Sequence, residues 1–142
     1  MRNNYILDAN ILFSGLLSRK EFYRKIFEKH IFYTPEFAFK EIEKYRNVIL
    51  QSTVSNPEEL KEFTFFIFSK IIVVPDFIIS RDSIDIAVEL CRDIDLKDVA
   101  YVALSIELNH VIITRDKLLY KGLRSKGFEN IMSFEDFFRE NT

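Results

Sequence analysis

The chain has no tryptophan, one cysteine, two histidines, three glycines and three prolines in 142 residues. The single cysteine, Cys91, excludes an internal disulfide framework and any zinc or iron–sulfur site built on cysteines. So few breakers mean short connections and much regular structure. No run of about 20 apolar residues occurs, so no transmembrane helix is expected. No apolar signal-peptide core precedes the first carboxylate, Asp8, and the expectation is a soluble, cytoplasmic protein. Neither charge is in large excess: 20 Lys and Arg against 22 Asp and Glu leave a formal charge of −2. That excludes a polyelectrolyte-type nucleic-acid binder but not a local basic patch. The GxxxxGK[ST] and GxGxxG phosphate-binding patterns are both missing.

What is there suits one globular domain over 1–142. Hydrophobic residues make up 48% and charged residues 30%, as in ordinary folded domains. A chain of this length buries enough surface to fold without a metal or disulfide staple. Short apolar runs alternate with helical periodicity. The runs are Tyr5-Ile6-Leu7, Ile31-Phe32-Tyr33 (stopped by Thr34-Pro35), Ile71-Ile72-Val73-Val74 and Val111-Ile112-Ile113-Thr114, with a weaker one around Asn130-Ile131-Met132. Continuous apolar strands are covered on both faces. The intervening helices place Phe22, Tyr23, Ile26 and Phe27 on one face, Ile84, Ala87, Val88 and Cys91 on another, and Val99, Val102, Ala103 and Ile106 on a third. Asn56-Pro57-Glu58-Glu59 reads as a helix start. Asp116 caps a helix with Leu118, Leu119 and Leu123 inside and Gly127 past its end. Ser133 and Asp136 form a capping box. The pattern predicts an α/β fold, three layers of α/β/α around a parallel sheet of four to five strands. A helical hairpin is expected over 36–69.

The carboxylates carry the functional signal. Asp8 follows strand one and Asp116 follows strand four, so both lie on one rim of a parallel sheet. Asp95 and Asp98 flank the start of the buried helix leading into strand four. Glu41 shares a helix stripe with Phe37, Ala38 and Tyr45, where an unpaired carboxylate is expensive. Each acid also has an ordinary explanation: Asp116, Asp95 and Asp98 as helix caps, Asp8 as a strand end with Asn10 capping the next helix, Glu41 reaching out to water or a lysine. Capping does not explain an acid in the apolar stripe. Two carboxylates near 4 Å repel by roughly 4 kcal/mol at an effective dielectric of about 20, so protonation or bound cations must relieve a cluster. An all-oxygen set suits Mg²⁺ or Mn²⁺ better than zinc. His30 and His110 precede strands two and four and belong at the opposite rim, which leaves no Ser–His–Asp constellation. Carboxylate-held divalent ions suit phosphodiester hydrolysis.

Four segments resemble the PIN domain family over essentially the whole chain. They are Tyr-Ile-Leu-Asp-Ala-Asn at 5–10, Pro-Glu-Phe-Ala-Phe-Lys-Glu at 35–41, Asp-Leu-Lys-Asp-Val-Ala-Tyr-Val-Ala-Leu at 95–104 and Ile-Ile-Thr-Arg-Asp at 112–116. The resemblance implies a metal-dependent ribonuclease that leaves a 5′-phosphate and a 3′-hydroxyl. It assigns Asp8, Glu41, Asp98 and Asp116 as the acidic quartet, catalytic and metal-holding, around one or two Mg²⁺ or Mn²⁺. It gives supporting roles to Asn10, Asp95 and Thr114. It also implies membership of toxin–antitoxin pairs of the VapC type, with an antitoxin protein as partner.

An acidic site repels RNA, so basic residues must hold the strand. Lys117, Lys121 and Arg124 lie at i, i+4 and i+7 after Asp116. Arg115 precedes it, and Arg19, Lys20, Arg24 and Lys25 cluster after Asn10. Two solvated helix faces are the ordinary alternative. Phe63, Phe65, Phe66 and Phe68 point several ways around one helix, which fits a homodimer or partner interface as well as dense internal packing. Two other functions compete. An Asp8-nucleophile phosphatase of the haloacid dehalogenase pattern would need a second Asp where Asn10 stands. A non-catalytic PIN-type scaffold binding RNA or protein would have no need for mutually repelling acids.

Overall fold

The computed structural model describes residues 2–51 and 56–142. Five parallel strands form one sheet: β1 (Asn4–Leu7), β2 (Ile31–Pro35), β3 (Ile71–Val74), β4 (Val111–Thr114) and β5 (Ile131–Ser133). Their order is β3-β2-β1-β4-β5. β1 is central, pairing Tyr5 with Phe32 on one side and with Val111 on the other. The chain therefore winds outward in one direction through β2 and β3, then returns to the other side of β1. The carboxyl ends of β1 and β4 flank this switch point, where such sheets bind ligands. β2 runs through Thr34 and Pro35 instead of stopping before them. Proline at the last position removes at most one ladder bond.

Alternate residues of each strand enter different cores. Tyr5, Leu7, Phe32 and Ile113 face a layer made by α1 (Ala9–Ser18), α2 (Glu21–Lys29), α5 (Pro57–Lys70) and α9 (Phe134–Glu140). Ile6, Ile112 and Ile131 face α6 (Arg81–Cys91), α7 (Val99–Leu108) and α8 (Lys117–Ser125). The expected three-layer α/β/α architecture follows from this alternation. α7 is buried at every residue from Tyr101 to Ser105, matching its lack of a polar face. In α8 only Leu119 and Leu123 point inward; Leu118 is 79% exposed, because a residue one step from the 119/123 stripe is rotated about 100° away from it. Gly127, at φ +86, closes α8 with Phe128 donating back to the Leu123 carbonyl; a Cβ would be strained there.

The expected hairpin over 36–69 takes the form of three helices: α3 (Phe37–Glu43), α4 (Arg46–Gln51) and α5. All three pack on α1, and Phe39 meets Phe68 at 5.5 Å between ring centroids. Residues 52–55, also within that span, lie outside the described residues. Phe63 is buried, Phe66 and Phe68 are half-buried, and only Phe65 of the four stands mostly in solvent. Internal packing thus accounts for most of that aromatic cluster. At the start of α5, Asn56 accepts from the Glu59 amide (3.1 Å) and donates to its carboxylate (3.0 Å). Asn56→Ala is expected to cost about 1 kcal/mol, readable as a lower urea midpoint with an unchanged slope.

Candidate active site

Asp8 is the last link between β1 and α1. It is buried, and it rather than Asn10 caps α1, its Oδ1 accepting from the Asn10 amide at 2.9 Å. Its Oδ2 takes the Thr114 hydroxyl at 3.4 Å. Thr114, the last residue of β4, also accepts the Asp116 amide at 3.0 Å. One buried hydroxyl therefore ties the two strand ends together across the switch point. Asp116 caps α8 through the Leu119 amide at 3.0 Å. Asp95 is exposed and caps a short 3-10 turn (Leu96–Asp98) through the Lys97 amide.

Asp98 does not behave as a cap. It stands at the head of α7 without a capping hydrogen bond, and its Oδ2 is buried with no hydrogen-bond partner among the described residues. Glu41 reaches the same rim from α3, half-buried, and accepts the Tyr101 hydroxyl at 2.6 Å.

These acids sense one another. Burial pushes the Asp98 carboxyl up to about 7, and Asp8, Asp116, Asp95 and Glu41 add repulsion in that order. Burial pushes Asp8 up to about 6, opposed by the Asn10 amide and raised further by Glu41 and Asp116. Burial and the Glu41 carboxylate push the Tyr101 phenol upward, so it remains a donor. The interaction among these acids is electrostatic; among the described residues no three His, Cys, Asp or Glu side chains stand as a metal-holding group. The reason is local. Asp8, Glu41 and Asp116 have each turned an oxygen onto a protein donor. The donor set still fits a hard divalent cation. It is all oxygen and mutually repelling, and it contains a buried orphan oxygen on Asp98.

The basic candidates separate. Arg19 pairs with Glu59 at 3.3 Å and donates to the Leu16 carbonyl. Arg24 lies over Phe63 and Phe66 at 5.2 and 5.0 Å. Both are engaged in joining helices instead of lining a groove. Lys25 is exposed beside Lys29 and Asn141, toward the rim where Asn141 meets His30. Arg124 sits 5.8 Å from the Tyr120 ring and donates to the Glu129 carbonyl. Lys20, Arg115, Lys117 and Lys121 remain near the acidic rim, exposed. His30 accepts the Asn3 amide through Nδ1 and donates from Nε2 to Asn141 at 2.7 Å, a structural role at the opposite rim.

Tyr101 was not among the residues singled out from sequence. It lies three residues after Asp98, on the same helix face, and a phenol hydroxyl among the apolar residues of the first turns of α7 was the available signal.

A family model described as PIN domain matches residues 6–135. The chain belongs to the PIN domain family. Two solved structures share its fold. VapBC2 from Rickettsia felis bound to a DNA fragment from their promoter superimposes with a TM-score of 0.63 at 12% identity, covering 92% of this chain and 98% of that one. PAE2754 from Pyrobaculum aerophilum gives 0.61 at 16% identity, covering 99% and 98%. No curated protein sequence matches the chain.

Proposed function

We propose that the protein is a divalent-metal-dependent endoribonuclease, with Asp8, Asp98 and Asp116 holding one or two Mg²⁺ or Mn²⁺ and Glu41 orienting the attacking water. The observation that carries this reading is Asp98: a partly buried carboxylate with one orphaned oxygen, repelled by four other acids. Structural acids are paired or capped, whereas this arrangement costs stability until a cation enters. When bound, the metal acidifies a water and offsets charge on the attacked phosphate. The chain itself supplies orientation. Thr114 fixes Asp8 against the Asp116 turn, and Tyr101 blocks one oxygen of Glu41, leaving the other free to direct a water. Asp8, buried with both oxygens hydrogen-bonded, is poorly presented as a phosphatase nucleophile.

Incubation of single-stranded RNA with Mn²⁺ tests the reading. Cleavage should stop in EDTA and in Asp98→Asn; equal cleavage in EDTA contradicts the metal mechanism. Tyr101→Phe keeps the packing and removes only the donor to Glu41. Its expected effect is a roughly 10-fold or greater loss of metal affinity or rate, the range of outer-shell changes, with a nearly unchanged melting temperature.

The biological role we infer is that of a toxin in a toxin–antitoxin pair. The PIN domain match and the fold shared with VapBC2 of Rickettsia felis support it. Phe39 on α3, Tyr45 between α3 and α4, Val48 on α4 and Phe65 on α5 are exposed apolar side chains, available to an antitoxin or to a second copy in a homodimer. Co-expression with the product of a neighbouring gene, followed by size-exclusion chromatography, distinguishes these partners.

A further inference from the structure

Arg115 stands next to Asp116 on the acidic rim, yet among the described residues it forms an ion pair with no acid. The register of β4 ends at Thr114, opposite Ser133, so sheet pairing does not hold the turn that carries Arg115 and Asp116. The Arg115 guanidinium turns toward α2 and α9 instead. It donates to the Tyr23 hydroxyl at 3.2 Å and lies 4.2 Å from the centroid of the Phe134 ring. Both supports are themselves held. Tyr23 is buried, and its ring lies so close on Gly15 of α1 that a Cβ there would come within 3.2 Å of it. Phe134 meets Phe22 of α2 edge to face, at 6.0 Å between ring centroids. A planar guanidinium with a hydrogen bond at its tip and a ring against its face is fixed in direction, which a lysine ammonium would not be.

We propose that Arg115 is a positioning residue for Asp116: seated on Tyr23 and Phe134, it locks the turn between β4 and α8 and so sets where Asp116 stands relative to Asp8. The path closes on itself. α1, on which Tyr23 rests, begins at the Asp8 cap, so Asp8, α1, Tyr23, Arg115 and Asp116 form one tie between the two acids. Thr114, bonded to Asp8 and to the Asp116 amide, is the other. A single tie leaves the turn free to pivot about Thr114; the second removes that freedom. Two acids that share a cation need their spacing held to about 0.5 Å. The inference rests on the nuclease reading for the cation it serves, but the seat of Asp116 is measurable without metal.

The test uses the full chain and two variants. Tyr23→Phe keeps the buried ring and removes the hydroxyl. Arg115→Met keeps an apolar stem and removes both the donor and the charge. The first readout is hydrogen exchange, in EDTA, at the Leu119 amide that Asp116 caps. Its protection should fall roughly 5-fold in each variant, the worth of one hydrogen bond, while the His30 amide at the opposite rim and the melting temperature stay as in the wild type. The second readout is Mn²⁺ affinity by calorimetry at pH 8, which should weaken roughly 10-fold in each variant. In Arg115→Met the sign decides between two causes. Removing a cation beside acids would by charge alone tighten Mn²⁺, whereas loss of positioning weakens it. Should Arg115→Met fail to fold, Tyr23→Phe decides. Wild-type Leu119 protection in a folded variant overturns the proposal, as does tighter or unchanged Mn²⁺ binding. Weaker binding of single-stranded RNA by Arg115→Met in EDTA, with Leu119 and Mn²⁺ unmoved, also overturns it and leaves Arg115 as a contact to the strand. If Mn²⁺-dependent cleavage occurs and both variants match the wild type, the seat is wrong and the nuclease reading stands. If Leu119 responds in both but the wild-type chain binds no Mn²⁺, the seat stands and the nuclease reading fails.

Discussion

Asp98→Asn is expected to melt at a higher temperature than the wild-type protein at pH 8 while cutting RNA more than about 100-fold more slowly, beyond the loss seen for outer-shell changes. Both effects have one cause. In the metal-free protein Asp98 is held up at about 7 by burial and by four neighbouring acids, so at pH 8 its ionised form is under strain. Asparagine keeps the shape and removes the charge. After discounting for partial exposure, the gain is about 1 kcal/mol, or a few degrees in a chain of this size. At pH 5 the wild-type carboxyl already carries a proton, and the two proteins should melt together. A site that trades stability for function behaves this way. A lower melting temperature for Asp98→Asn at pH 8 would mean that the carboxylate is satisfied in the fold, and its assignment to the site would fall.

Mn²⁺ should stabilise the wild-type protein strongly at pH 8 and hardly at all at pH 5. The folded-state affinities of Asp8 and Asp98 for protons are raised, to about 6 and about 7, above an unfolded value near 3.9. Between these values the folded state binds more protons than the unfolded chain. Their contribution to metal-free stability is therefore greatest at acid pH and is lost as pH rises through 6 and 7. For buried Asp8 alone the loss is on the order of 3 kcal/mol. A divalent cation reverses it by taking the place of the protons. At pH 8 and about 1,000 times Kd, the metal adds roughly 4 kcal/mol, or roughly 10–20 °C. At pH 5 protons on the two carboxyls compete by about 10-fold and 100-fold, and the same metal concentration adds only about 0.4 kcal/mol. A shift of equal size at both pH values would place the cation away from Asp8 and Asp98.

Much of this site was legible before any coordinates, because it sits where strands end. One apolar run that stops at Asp8 and another that ends two residues before Asp116 put both acids on one rim once the strands are parallel. The buried periodicity of 99–106 then brings Asp98 to that rim, because its helix runs back into β4. What could not be read was which way each carboxylate turns. Helix caps are local and strong, so Asp8 and Asp116 take nearby amides, while Asp98 finds none. Glu41 was recognisable as an acid out of place in an apolar stripe, but its partner Tyr101 lies 60 positions away and no local pattern links them. The basic residues divided for a similar reason. Arg19 and Arg24 look like solvated charges in sequence, yet their partners Glu59, Phe63 and Phe66 arrive from α5.

Direct titration of Mn²⁺ into the metal-free protein at pH 8, followed by calorimetry, tests the central claim. One or two ions should bind to the wild-type chain with release of protons, and binding should be lost or weakened at least about 10-fold in Asp98→Asn. No heat of binding at millimolar Mn²⁺, or an isotherm that Asp98→Asn leaves unchanged, would contradict it.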